Sequence, residues 1–386
     1  KLYKMKKTVE TSSEEELSKQ RSLRKEEERK RKEEKKKEFA DAAKRRAKQS
    51  EAAEEAALKL GKKRSDWFLN PYYLTFGALG ILLVYVIVML FMNRQPPLNK
   101  IPVLDEAKIF QHNAEYGESW SQGKSEFWEG ATLADAKRLM TTAFASHSNI
   151  NKCVVDNTQK IPDSFDARTQ WPECKLNVTN QGKKCTGSYA LVVATTFAER
   201  KCIESPDKKL TQLSAQELLS CDTANKGCRG GYLNNALEYL VVRGISTEQC
   251  LPYKGTYDAK CSDMCADPIK DKPDSFCVLF GENDIKFEIM NHGPVIATME
   301  VYTDFLSYSG GIYSKEDDVP KFSGMHSIKI VGWGGDENSS EEKPAGENTG
   351  KYWIIENSWD EDWGEKGYAR IAMGKDFLFE KYAYSI

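Results

Sequence analysis

All ten cysteines of the chain lie beyond residue 150, whereas residues 1–66 contain none and consist largely of Lys, Arg and Glu. This use of cysteine fits a protein that folds in an oxidising compartment, where disulfides persist. With 40% hydrophobic residues among 386, the chain can also bury a substantial core. The sequence therefore predicts a charged N-terminal part and a disulfide-linked globular part that occupy different environments.

An uncharged run over residues 71–92 separates the two parts. A helix of about 22 residues is about 33 Å long and crosses a bilayer, so we predict a transmembrane helix over 67–93. A buried core helix is the alternative, but core helices seldom run this long without a charge. A cleaved signal peptide is disfavoured because the run lies far from the start and no small-residue cleavage site follows it.

The charges beside this run predict its orientation. Basic residues crowd its N-terminal flank and are sparse after it, so the positive-inside rule predicts a cytosolic N-terminus and type II topology. The cysteine-rich part then lies in an oxidising lumen, either of the endoplasmic reticulum and endomembranes or of the mitochondrial intermembrane space. The sequons at Asn177 and Asn338 agree with a lumenal glycoprotein.

The N-terminal segment 1–66 is predicted to be a charged, cytosolic helical arm. It has many Glu and Lys residues three or four positions apart but almost no apolar stripe, which favours a solvated single helix over a coiled coil. A partly disordered arm is the simpler interpretation. The other is a docking helix that binds an acidic protein, anionic lipid or RNA, because the segment is net basic.

The motif that is most informative about catalysis is NQGKKCTGSYAL at residues 180–191. It resembles the active-site signature of papain-family cysteine proteases, with Ser188 where that family has its nucleophilic cysteine. Other motifs follow in the family's order and resemble cathepsin B in particular, among them DSFDARTQWPEC at 163–174 and GCRGGY at 227–232. Upstream, ADAKRL at 134–139 resembles part of a cathepsin B propeptide.

This resemblance implies an α+β, papain-like fold of two subdomains, one helical and one similar to a β-barrel. Together with the composition, it gives four predicted parts. These are the arm over 1–66, the transmembrane helix over 67–93, a propeptide-like segment over 101–160 and a papain-like domain over 161–386.

The resemblance also assigns the site residues. Ser188 takes the nucleophile's position, with His326 as the base, Asn357 as the residue that orients it and Gln181 as an oxyanion-hole donor. The substrate groove is expected at Gly230, Gly231 and Trp359.

The serine at position 188 argues against catalysis by the mechanism of cysteine proteases. Cysteine proteases need a thiolate at a helix N-terminus, stabilised by the helix dipole and by an imidazolium. A serine hydroxyl is far less acidic than a thiol, whose pKa is about 8.5, so no stable ion pair with His326 is expected. An inserted Lys184 is also expected to displace Gln181. We interpret the domain as a pseudoprotease.

By the same resemblance, eight cysteines pair as Cys174 with Cys202, Cys185 with Cys228, Cys221 with Cys261 and Cys250 with Cys265. Cys153 and Cys277 are left over, and we predict that they join the propeptide-like segment to the domain. No cofactor or metal is predicted, since none of the four histidines lies near a paired-cysteine spacing typical of zinc sites.

The function predicted from sequence is a membrane-anchored, catalytically inactive cathepsin B-like protein. It would act as a structural or binding subunit of a membrane complex with other proteins. The alternative is an active peptidase that uses Ser188, His326 and Asn357. A third hypothesis is a lumenal module that binds peptides without cutting them.

Overall fold

The computed structural model describes residues 96–142, 150–155, 158–256, 259–315, 319–335, 350–375 and 377–386, together with six helical positions before residue 96. The chain divides into two compact units, Lys1–Gln95 and Pro96–Ile386. The predicted charged arm over 1–66 lies outside the described residues except at Lys44 and Lys48, which are helical.

The predicted fold class is corrected in one respect, the transmembrane helix over 67–93. Among the residues that the structure describes, no helix is long and apolar enough to cross a membrane. A span needs about 20 consecutive apolar residues. The longest described helix, Ser188–Glu204, has 17 residues and carries charged side chains in its interior. Of the segment 67–93 itself, only residues 80, 82, 83 and 85 are described.

The described part of the second unit contains seven α-helices. The propeptide-like segment contributes the first two, and Thr132 caps the second by exchanging hydrogen bonds with Asp135. The central helix is buried on nearly every side, as its apolar sequence predicts. In chain order the helices are α1 Glu106–Glu115, α2 Leu133–Leu139, α3 Ala167–Gln170, α4 Ser188–Glu204, α5 Ala215–Cys221, α6 Leu233–Arg243 and α7 Gly281–His292.

The described strands belong to one sheet. In chain order they are β1 Trp120–Gln122, β2 Phe165–Asp166, β3 Cys277–Leu279, β4 Val295–Tyr302, β5 Tyr308–Tyr313, β6 Lys321–Gly334, β7 Tyr352–Glu356, β8 Tyr368–Ala372 and β9 Ala383–Ser385. Their order in the sheet is β1-β5-β8-β7-β6-β4-β9-β3, with β2 paired to β6. Pairing is antiparallel except between β5 and β8.

Two large hydrophobic cores, besides a small cluster around the disulfide Cys174–Cys202, divide this unit as the two-subdomain prediction requires. One lies among α4, α5 and α6, and the other lies in the sheet and includes side chains of the propeptide-like segment. Helix α4 packs against β6 where the two halves meet. The papain-like α+β architecture predicted from the sequence is therefore confirmed.

Five disulfides link the described cysteines in the pairs expected from the sequence. Four lie within residues 161–386. The fifth, Cys153–Cys277, joins the propeptide-like segment to the first residue of β3. Five disulfides indicate an oxidising compartment, lumenal or secreted.

Candidate functional site

Ser188 is the first residue of α4 and is completely buried. The preceding Gly187 allows a close approach, because a Cβ at that position would lie 2.5 Å from the hydroxyl of Tyr253. The start of the buried helix thus places the serine at a positive helix terminus, the position expected from its sequence motif.

His326 lies on β6 and Asn357 directly follows β7, and the two side chains meet at 2.7 Å between Nε2 and Oδ1. The backbone N–H of Ser358 donates to the same Oδ1, which identifies that atom as the oxygen. Nε2 of His326 is therefore the donor, and the lone pair of the neutral ring lies on Nδ1. This Nδ1 has no hydrogen-bond partner among the described residues.

The environment of His326 makes it a weak base. Burial lowers the pKa of its imidazole from 6.5 to about 4, and the hydrogen bond to Asn357 only partly opposes this effect. At neutral pH the ring is uncharged. An imidazolium that could stabilise an anion at position 188 is therefore not available.

The hydroxyl of Ser188 faces partners other than the histidine. Its Oγ lies 3.4 Å from Oγ1 of Thr142 and accepts a hydrogen bond of 3.4 Å from the backbone N–H of Ser327. A histidine activates a serine through a hydrogen bond, with about 2.6–3.2 Å between its ring nitrogen and the serine Oγ. Within the described part of the chain, no such contact joins Ser188 to His326.

Gln181 is buried and its side-chain amide is bonded on both sides. Its Nε2 donates to the carbonyl of Cys185 at 3.0 Å, and its Oε1 accepts from the hydroxyl of Ser358 at 2.8 Å. One donor hydrogen of the amide is thus committed to a protein carbonyl instead of an incoming oxyanion. The displacement of Gln181 by the inserted Lys184 stays a prediction.

The segment after α2 passes over the serine. Thr142 forms an antiparallel bridge with Met325, with N···O distances of 3.2 and 3.1 Å. On the other side, a Cβ at Gly230 would lie 2.4 Å from Oγ1 of Thr141, and a Cβ at Gly324 would lie 1.5 Å from the carbonyl oxygen of Met140. Two glycines therefore admit residues 140–142 into the groove.

The other predicted groove residues, Trp359 and Gly231, are also in contact with other parts of the chain. Trp359 packs against Trp128 of the propeptide-like segment, with ring centroids 5.0 Å apart, and is stacked near Phe127. Gly231 faces Asn225, whose Oδ1 would lie 2.5 Å from a Cβ at the glycine. Gly230 and Trp359 thus contact the propeptide-like segment, whereas the atoms nearest to a Cβ at Gly231 belong to Asn225.

A family profile described as papain family cysteine protease matches residues 161–385, more than half of the chain. The chain belongs to the papain family. The cathepsin B-like protein CP2 of Giardia intestinalis is 30% identical over 278 residues, which cover 69% of this chain and 88% of that protein. The human tubulointerstitial nephritis antigen-like protein, which is not named as a proteinase, is 32% identical over 321 residues and covers 73% of this chain and 67% of its own length.

This chain also resembles a solved structure, both in its papain-like domain and in its propeptide-like segment. Procathepsin B S9 from Trypanosoma congolense superposes with a TM-score of 0.64 at 29% sequence identity, and the match covers 74% of this chain and 98% of that chain. The protein is thus cathepsin B-like within the papain family.

Two parts of the site were not predicted from the sequence. Thr142 was not recognised as a neighbour of Ser188, because no local pattern reports a contact across 46 residues. The buried cluster of Glu199, Lys329 and Glu356 was not predicted either. Here a signal existed, since each of these charged residues directly follows apolar residues of its helix or strand.

Proposed function

We propose that this cathepsin B-like protein is catalytically inactive and acts as a binding or structural subunit in an oxidising lumenal or secreted compartment. The observation that carries the proposal is the arrangement of Ser188, whose Oγ contacts Thr142 and Ser327 and makes no hydrogen bond to His326 among the described residues. The proposal is also supported by the propeptide-like segment that supplies Thr142, because this segment bridges Met325 and contacts Gly230, a predicted groove residue.

Acid–base chemistry supports the same conclusion. A general base works best when its pKa lies near the operating pH. Burial lowers the pKa of His326 to about 4, so its lone pair is a poor acceptor for the proton of a serine hydroxyl. Before Ser188 could attack a peptide carbonyl, His326 would have to form a hydrogen bond to the serine hydroxyl and its pKa would have to rise.

The second candidate is a peptidase that uses Ser188, favoured by the intact 2.7 Å hydrogen bond between His326 and Asn357. A peptide-binding role without cleavage would need the groove cleared of residues 140–142.

Three expectations stay predictions from sequence. They are protein partners of the domain, glycosylation of the exposed Asn177, and the binding of segment 1–66 to an acidic protein, anionic lipid or RNA. Asn338 lies outside the described residues.

We expect no hydrolysis of fluorogenic peptides and no labelling of Ser188 by a fluorophosphonate probe in the full chain. Ser188→Ala should change the free energy of unfolding by less than about 1 kcal/mol, because both contacts of the hydroxyl are long. Labelling that disappears in Ser188→Ala would instead establish the peptidase.

Because the disulfide Cys153–Cys277 ties the propeptide-like segment to the domain, we expect the segment to leave the groove only when this bond is absent. A protease recognition sequence introduced between residues 154 and 160 allows the chain to be cut after the tether. In Ser188→Cys, we expect peptidase activity only when this cut is combined with Cys153→Ser and Cys277→Ser. The matched control is the same cut with the disulfide intact, which should stay inactive because the segment cannot leave. Equal activity in both cut forms would show that the tether does not retain the segment.

A further inference from the structure

Three charged side chains are buried together on the inner side of the candidate site. Nζ of Lys329 lies 2.9 Å from Oε2 of Glu199 and 2.9 Å from Oε1 of Glu356. The exposed fraction is 2% for the lysine side chain and 4% for each glutamate side chain. Such burial removes nearly all water from three ionisable groups.

This cluster joins the two halves of the domain. Glu199 belongs to α4, the helix that begins at Ser188, whereas Lys329 and Glu356 belong to β6 and β7. Lys329 is three residues from His326, and Glu356 directly precedes Asn357. A change of charge in the cluster therefore acts at the contact between α4 and the sheet, on the elements that carry the site.

The charges do not balance when every group is ionised. Two carboxylates share one ammonium, which leaves a negative charge in a region of low dielectric. Among the described residues, Arg168 and Lys175 line the same small cavity as Glu199 and Glu356, and Tyr368 is hydrogen-bonded to Glu356. Arg168 is already paired with Asp166 at 2.7 Å, Lys175 is exposed, and Tyr368 is a neutral hydrogen-bond donor.

The contacts indicate which carboxylate takes up a proton. Glu356 accepts hydrogen bonds from Lys329 and from the hydroxyl of Tyr368, and it feels the positive charge of Arg168. Apart from Lys329, Glu199 accepts only the backbone N–H of Leu176 among the described groups, at 3.0 Å. Burial raises the pKa of Glu199 from 4.5 to about 7, assisted by the charge of Glu356 and opposed by Lys329.

We propose that Glu199 is a proton-binding site that stabilises the contact between the helical half and the sheet when the surroundings become acidic. With one proton bound, the cluster of Glu199, Lys329 and Glu356 has no net charge. This inference goes beyond the proposed function and does not depend on whether Ser188 hydrolyses peptides.

The direction of the pH effect follows from the two pKa values of Glu199. The folded state binds its proton more tightly than the unfolded state, so its stabilisation is complete below about pH 4.5 and is lost as the pH rises through 7. His326 acts in the opposite direction. Its pKa falls from 6.5 to about 4 on folding, so stability is lost as the pH falls from 6.5 to 4.

A comparison of the intact protein with Glu199→Gln isolates the effect of Glu199 from that of His326. Urea unfolding is measured between pH 5 and pH 8, and the folding equilibrium constant of the intact protein is divided by that of the variant. Between pH 5 and 6.5 this ratio should fall about tenfold per pH unit, because the folded intact protein then holds one proton more at Glu199 than its unfolded state, whereas the glutamine of the variant does not titrate. Glu204→Gln, the same substitution at an exposed position of α4, should give a ratio independent of pH.

Glu356→Gln provides a second test. It leaves one carboxylate for one ammonium, so Glu199 should bind its proton only at lower pH. If Glu199→Gln does not fold, infrared spectra of the intact protein serve instead, with a protonated carboxyl band expected at pH 6 that disappears at pH 8 and is weaker at pH 6 in Glu356→Gln. A ratio for Glu199→Gln that does not change with pH, or the absence of this band, would overturn the proposal.

Discussion

Replacing Lys329 by methionine should lower the free energy of unfolding by about 3–5 kcal/mol at pH 7. The substitution removes the ammonium that both Glu199 and Glu356 contact at 2.9 Å and leaves two carboxylates buried without it. Loss of one partner from a buried ion pair has a cost of this size. The cost should be smaller at pH 5, where the carboxylates protonate more readily than they can at pH 7. Urea unfolding at both pH values measures it.

The matched control lies on the same strand. Lys321→Met removes the ion pair with Glu300, which has a 2.8 Å N···O distance but a lysine side chain that is 53% exposed. Exposed pairs contribute little, so this change should cost less than about 1 kcal/mol. Similar losses for Lys321→Met and Lys329→Met would contradict the importance that we assign to burial of the cluster.

Trp128→Ala should destabilise the protein by about 3–5 kcal/mol, the usual cost of truncating a buried tryptophan. Trp128 is 1% exposed and contacts both Phe127 and Trp359, so it fixes the propeptide-like segment on the sheet core. The groove should loosen as a consequence. Hydrogen exchange at the amides of Thr142 and Met325, which bond each other's carbonyls, should become faster.

An aromatic residue elsewhere in the same segment provides the comparison. Phe110 lies on α1 and is 68% exposed, so Phe110→Ala should change the free energy of unfolding by less than about 0.5 kcal/mol. It should leave exchange at Thr142 unchanged. If Trp128→Ala lowered stability without faster exchange at Thr142, the tryptophan would support the core but not the covering of the groove.

The sequence predicted the papain-like fold because its motifs are local and occur in a fixed order. Ser188, His326 and Asn357 could be located from the few residues beside each one. The structure brings His326 and Asn357 into contact and places Ser188 at the start of α4. The disulfide partners of Cys153 and Cys277 could be predicted by elimination, since the resemblance accounts for the other eight cysteines.

The rest depends on packing, which a single sequence does not specify. The hydrogen-bond partners of Ser188 come from residues 142 and 327, far away along the chain. The low pKa of His326 follows from its complete burial. The uncharged run at 71–92 satisfies a hydropathy criterion, yet the described residues contain no membrane-spanning helix.

The position of β9 has a consequence for biosynthesis. In the sheet β9 lies between β4 and β3, so among the described strands β3 has no partner until residues 383–385 have been synthesised. The bridge between Lys152 and Val278 can form without β9, but the pairing of Cys277 with Ser385 cannot. Until β9 pairs, the edge of β4 is open to pairing with other chains. We therefore expect chaperones to act on the nascent chain before the sheet closes.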